Sequence, residues 1–461
     1  MGILGEWNFT GGLAQIDGGM AQIEGGMSRI GGNFIRRLSY QSPGLAGKWK
    51  PYITSFTSPI RKMDYYYGGY SKFDFGEIEL ALKHFTDAGK WPPGKKASLK
   101  LRYTPDTEAN AELLFDGVAN RQSVSLARGV ASYQLKSAKY GAKLLCEREN
   151  YNGDVVAMPR GFGAFAQRET VRLPDVDGRH HYWLCHAAGA IGSGIDIFDD
   201  GVNINSKAVI PRYDPYVFYL TSPAVGTVTI SATGDTETLD DVVAWLCTGN
   251  DDEGNPILNL DIDTSMAESP SPALAHFETG QQLAIDWFSE ACSFFAHFFY
   301  IEGETMYLVD FDSDNGTRTL TPGTYSDFEQ VDLPAVSILK ANWDTFQAVE
   351  ETVGKFVKTI SNETSLPTLY TFGDEKSVKV FNTDRAVIDA RLAVIETILN
   401  GQWAEISRPL DGGFPDPGKK YTLLETRGAL AMTAVIRARE LRYDLNPKSP
   451  KIFIKGNGTI S

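Results

Sequence analysis

Apolar residues along this chain alternate with polar ones in many short runs and recur at helical spacing in only a few places. Residues 98–103 alternate, placing Leu99, Leu101 and Tyr103 on one face of a strand. A second run over 111–115 leads into Asp116-Gly117, which predicts a turn, and 129–135 reads as a further strand. The stretch 77–85 fits either a strand or a helix. Further on, 182–186 and 195–198 are short strands. Asp199-Asp200-Gly201 predicts a turn between 195–198 and the run 202–204. Residues 225–232 alternate again, with β-branched Val228 and Ile230.

Helical spacing enters after residue 236. Thr238 with Asp241 predicts a capping pair that opens a helix through Leu239, Val242, Val243 and Leu246. A longer helix is expected over 280–296, with Leu283, Trp287, Ala291 and Phe294 as its buried stripe. Residues 298–301 and 305–309 then form a hairpin across Glu302-Gly303. A third helix is capped by Thr383 or Asp384, shows Ile388, Leu392, Ile395 and Leu399 on one face, and stops at Asn400-Gly401. Strands at 421–424, 432–439 and 451–455 close the chain. The predicted fold class is α+β with β dominant.

The N-terminal segment follows a different pattern. Residues 11–31 read GGLAQID, GGMAQIE, GGMSRIG, a repeat of seven with Gly-Gly first and Ile sixth. Two glycines per unit would cost a helix about 2 kcal/mol per repeat, so a coiled coil is rejected in favour of small strands or an extended arm. The regular apolar positions imply docking, and Met20, Ile23, Met27 and Ile30 are the residues expected to contact a neighbouring chain. Ten of the 45 glycines fall in the first 32 residues, so the glycine excess belongs chiefly to this arm.

Composition narrows the classes. The 461 residues are 42% hydrophobic and include 25 Phe, 20 Tyr and 8 Trp, which suffices for several cores and excludes a mostly disordered chain. The formal charge of −14 is opposite to what gripping nucleic acid requires. No apolar run reaches the ~18 residues of a membrane-spanning helix, and the first residues do not read as a secretory signal. Cys146, Cys185, Cys247 and Cys292 are far apart and read as small buried residues of a reducing compartment.

Candidate chemistry is sparse. His180, His181, Cys185 and His186 form the one local cluster of metal-ligating types. On a strand over 182–186, however, Cys185 and His186 would face opposite sides, so zinc is not expected. An EF-hand loop beginning at Asp310 would need Gly at 315 and Glu at 321, where the chain has Asn315 and Thr321. Asp310, Asp312 and Asp314 therefore read as a solvated turn, as do Asp251, Asp252 and Glu253. No nucleophile elbow, zincin helix, Walker loop or dinucleotide fingerprint is present. No catalytic residue, metal or cofactor is expected.

Four groups of phrases occur in order along the chain. The first is Phe75-Gly-Glu-Ile-Glu-Leu80, Leu114-Phe-Asp-Gly-Val118 and Gly129-Val-Ala-Ser-Tyr-Gln-Leu135. The second runs from Met158-Pro-Arg-Gly-Phe-Gly163 to Asp200-Gly201. The third covers 279–310, a helix ending in aromatics followed by a hairpin. The fourth is Pro417-Gly418, Ile436-Arg-Ala-Arg-Glu-Leu-Arg-Tyr-Asp444 and Lys455-Gly-Asn-Gly458. Together they resemble the baseplate hub, or tail hub, proteins at the tail tip of tailed phages.

The resemblance implies a first tail-tube-like β domain at 41–150 and an inserted β domain at 151–235. It further implies a small α/β domain at 236–330 and a second tube-like domain at 331–461, preceded by the arm at 1–40. It also implies a homotrimer whose ring joins a sixfold tail-tube or distal-tail ring protein to a threefold central fibre or spike. The tape-measure protein and, transiently, DNA would pass through its lumen. The expected location is the virion tail tip, assembled in the host cytoplasm, with no enzymatic activity. The alternatives are another tail-tip protein of distal-tail or carbohydrate-binding type, and a tail-associated envelope-glycan hydrolase.

Overall fold

The computed structural model describes residues 37–41, 53–74, 76–81, 96–104, 112–137, 145–146, 148–151, 154–185, 187–212, 216–234, 236–250, 256–278, 282–302, 304–311, 317–321, 324–325, 327–330, 336–349, 352–365, 374–399, 401–409, 418–425, 432–444 and 451–460. These residues form six sheets and three α-helices, a β-dominant α+β fold.

The first sheet is antiparallel, in the order Arg37–Gln41, Lys96–Thr104, Glu112–Ser125, Val130–Ser137, Glu77–Ala81, Ile53–Phe56. The turn expected at Asp116-Gly117 does not form. Glu112–Ser125 is a central strand, and Gly117 is paired with Leu99 on one side and Ser137 on the other. Ladder hydrogen bonds on both flanks outweigh a local turn preference. The chain reverses instead at Leu126–Gly129, where Gly129 takes φ +66°. The ambiguous stretch 77–85 yields the strand Glu77–Ala81, which buries Ile78 and Leu80.

The largest sheet draws on the whole chain. The hairpin of Ile60–Tyr65 and Gly68–Asp74 lies between the middle strands His297–Glu302 and Thr305–Asp310 and the C-terminal strands Met432–Asp444, Lys451–Ile460 and Gln402–Pro409. Ile78, Leu80, Tyr133 and Leu135 of the first sheet share one core with Ile406, Tyr421, Ile436, Tyr443 and Ile454 of this one. Strands from near the two ends of the chain thus bury each other's apolar faces.

A second core surrounds the helices. Helix α1 (Leu239–Thr248) opens with the expected capping box. Thr238 Oγ1 accepts the Asp241 N–H at 3.3 Å, and Asp241 Oδ2 accepts the Thr238 N–H at 2.9 Å. Helix α2 (Ala284–Phe294) buries Trp287, Ala291 and Phe294, and also Phe288 and Cys292, so it is enclosed more widely than one stripe. The hairpin His297–Glu302 with Thr305–Asp310 follows as expected. Helix α3 (Arg385–Leu399) is capped by Asp384, whose Oδ1 accepts the Ala386 N–H at 2.8 Å. Its buried face is Ile388, Leu392, Ile395 and Ile398. Leu399, one residue further round the helix, is half-buried.

A third core, built on Leu184, Ile195, Ile197, Phe218 and Ile230, lies within residues 154–234. Asp200 (φ +45°) and Gly201 (φ +83°) form a two-residue hairpin turn of type I′ between paired Asp199 and Val202, in agreement with the sequence. Gly163 also needs to be glycine: φ is +57°, and a Cβ would collide with the Leu274 carbonyl oxygen. The strand expected at 182–186 is His180–Trp183. It ends early because the chain bends away, with Cys185 at φ +61°.

Candidate functional site

Met20, Ile23, Met27 and Ile30 lie outside the described residues, as do Asp251, Asp252, Glu253, Asp312, Asp314 and His186. The other members of the His/Cys cluster go to different surroundings. His180 Nδ1 is 3.1 Å from the Asp175 carboxylate and 3.0 Å from Arg172 Nη2. The hydrogen bonds from His180 and Arg172 hold Asp175 below the usual carboxylate range. His181 is buried, and its Nδ1–H donates to the Arg179 carbonyl at 3.0 Å. Cys185 is fully buried, and burial raises its thiol. Burial likewise pushes Cys146 up to about 11 and Cys247 up to about 12. All four cysteines are free and buried. Among the described residues, no group of three or more His, Cys, Asp or Glu side chains is placed to hold a metal ion.

One polar cluster that the sequence did not reveal joins three elements. His276 and Glu278 are two apart on the strand Ala275–Glu278 and so share a face. Lys379, at the end of the strand Asp374–Lys379, places Nζ 2.7 Å from Glu278 Oε2 and 3.0 Å from Glu290 Oε2 on α2. His276 Nε2 lies 3.2 Å from Glu278 Oε2, with its ring against Phe381 at 4.7 Å between centroids. Burial pushes Glu278 up, but hydrogen bonds from His276 and Lys379 together with the Lys379 charge outweigh it and hold the carboxyl at about 2. Burial lowers His276 against the pull of the same carboxylate. The participants are scattered over a hundred residues, so no sequence spacing announces them. The arrangement ties strand, helix and strand together.

A second cluster, on the C-terminal strands, is arranged differently. Lys420, on the strand Lys420–Glu425, stands directly opposite Arg437, and Arg437 stands opposite Asn457 on Lys451–Ile460. The register between these last two strands shifts after Ala438, so Arg439 sits at a bulge. A bulge re-aims a side chain, and Arg439 joins Arg437 at the wall of one cavity of about 270 Å³. Both arginines are only 6% exposed. Arg439 Nε donates to Asn457 Oδ1 at 2.8 Å, and its Cζ lies 3.3 Å from the centre of the Phe311 ring. Arg437 Nη1 donates to the Gly418 carbonyl at 3.3 Å. Asn457 Nδ2 in turn donates to the carbonyl of Ile398, near the end of α3. The described residues lining the cavity include Lys420, Arg437 and Arg439 and no carboxylate. The repeat of cations at 437 and 439 is visible in the sequence, inside the phrase that resembles the hub family. The bulge that lets them converge is not.

No family model and no curated protein matches the sequence. In structure the chain is similar to a tail protein from Neisseria meningitidis, at 10% identity over 92% of this chain and 96% of that one, with a TM-score of 0.46. It is similar to the 43 kDa tail protein of prophage MuSo2 from Shewanella oneidensis, at 7% identity over 91% and 97% of the two chains, with a TM-score of 0.44. A chain from the virion of a gene transfer agent particle is similar over 70% of this chain and 89% of its own, at 11% identity and a TM-score of 0.46.

Proposed function

We propose that this chain is a structural component of a phage-type tail tip, a hub whose three copies form a ring between the tail tube or distal-tail ring and a central fibre or spike. The observation that carries this reading is where the hub-like phrases lie in the fold. The first and fourth groups are far apart in sequence, yet their described residues supply the facing sheets of one core, with Ile78, Tyr133, Ile436 and Tyr443 among its members. The second group divides, Met158 joining the core of residues 154–234 and Phe162 the helical core, in which the third provides α2 and its hairpin. The phrases therefore fall on the frame of the molecule, as expected if they specify an architecture.

In the assembled ring the arm at 1–40 reaches a neighbouring chain through Met20, Ile23, Met27 and Ile30. Three copies bring a formal charge of −42, three times −14. Acid facing the lumen would let DNA slide past without sticking.

Image reconstruction of the particle that contains this chain tests the proposal. Three copies in one ring at the tail tip, with a mass of about 152 kDa for the isolated assembly (three times 50.7 kDa), is the expected result. Six copies per ring, or a position away from the tail tip, would reject the hub. Deleting residues 1–33 is expected to block incorporation into tails. Normal incorporation would remove the arm from the interface.

A further inference from the structure

We propose that Arg61 receives a carboxylate of the N-terminal arm, Asp17 or Glu24, from a neighbouring copy of this chain, a contact that rests on the reading of the chain as a ring-forming tail component. Arg61 lies on the strand Ile60–Tyr65, inside the largest sheet. Its register partners on the two flanking strands are Phe73 and Leu441, both apolar. Only 8% of the residue is exposed. Its Cζ lies 4.8 Å from the centre of the Tyr300 ring and 5.8 Å from that of Phe73. Nε is buried without a hydrogen-bond partner, and among the described residues the side chain makes no ion pair. Burying a cation is costly unless negative charge meets it, and the rings offset only part of that cost. Phe73 and Ile60 are half-buried, so the surface lies next to the guanidinium. Its planar fork matches the two oxygens of a carboxylate.

The arm has the complementary composition. Residues 1–28 contain Glu6, Asp17 and Glu24 and no lysine or arginine. Asp17 and Glu24 close the first two Gly-Gly repeats, at the same place in each. The arm thus carries carboxylates with no cation of its own, whereas Arg61 is a buried cation whose strand neighbours are apolar. Glu24 stands thirteen residues before Arg37, where the first strand begins, and Asp17 stands twenty before it. An extended chain covers at most about 45 and 70 Å over those lengths. Both exceed the ~30 Å diameter of a small domain, so either carboxylate can reach an adjoining copy. An arginine held among rings and met by one carboxylate is the usual form of an interface anchor.

The test uses the full chain in assembled tails. Arg61→Met, and separately Asp17→Asn with Glu24→Gln, are each expected to lower incorporation at least about tenfold, the scale of losing one partner of a buried interfacial charge pair. All three changes in one chain should cost no more than either set alone, because partners in one contact do not act independently. Losses that multiply would overturn the contact. A photoreactive side chain in place of Gln22, two positions from Glu24, should join the segment 60–74 of another copy, giving a product of about 101 kDa (twice 50.7 kDa). That product should disappear in Arg61→Met. A crosslink within one chain, to a different tail protein, or to no chain at all would overturn the proposal. Circular dichroism checks that Arg61→Met is folded, and the arm variants with the crosslink decide the matter if it is not. Three copies at the tail tip with no effect of any variant would keep the hub and reject this contact. Six copies with coupled losses and the crosslink would reject the hub and keep the contact.

Discussion

The Glu278 cluster and the Arg439 cavity are two ways of burying charge in one molecule. In the first, Lys379 stands between two carboxylates and His276 bonds the nearer one, so cation and anions from three elements meet directly. In the second, cations share one wall and are held by an amide, a backbone carbonyl and an aromatic face. The first cluster fastens three elements through one lysine, whereas the second gathers cations on one wall through the register of paired strands.

The comparison can be broken most strongly at Glu278. Replacing it with alanine leaves Lys379 and His276 without their shared carboxylate and is expected to cost about 3 kcal/mol, measured by urea unfolding. Acid should act on the same residue. Because its folded pKa of about 2 lies below the ordinary 4.5, its contribution is complete above about pH 5 and is lost as the pH falls toward 2. His276, lowered by burial, works in the same direction at higher pH. The unfolded chain takes up the proton first, so stability should already decline as the pH drops below about 6.5. A His276→Gln variant should flatten that part of the profile, with buried His297 supplying the remaining slope. An unchanged profile would mean that the cluster does not fasten the fold.

Smaller effects sharpen the other side. Arg439→Gln loses a hydrogen bond and a ring contact and is expected to cost about 2 kcal/mol, measured by urea unfolding. Lys420→Gln relieves a like-charge pair and should leave the urea midpoint within about 0.5 kcal/mol of the parent. A large loss of stability at Lys420 would show that the basic wall is fastened as tightly as the Glu278 cluster, and the contrast between the two would fail.

Local signals were legible wherever a short stretch decides its own shape. Thr238 and Asp241 are three apart and cap each other, Asp200-Gly201 adopts the left-handed angles its composition favours, and α2 buries three of the four residues its spacing selected, Leu283 being its half-buried N-cap. Asp116-Gly117 shows the limit of that reasoning. The same kind of dipeptide stays extended when strands pair with it on both sides. The His180–Cys185 cluster shows it again, since neighbours in sequence part company when the strand ends at Trp183.

By itself the sequence determined the β-dominant class, the three helices and the caps of the first and third, and the cysteines' preference for the interior, because each depends on periodicity or on groups within a few residues. Only the tertiary structure decided that strands from near both ends close over one core, that Lys379 meets both Glu278 and Glu290, and that a bulge brings Arg439 beside Arg437. Those outcomes depend on register between distant strands. A shift of one residue there reverses which side chains face each other, and no local pattern encodes it.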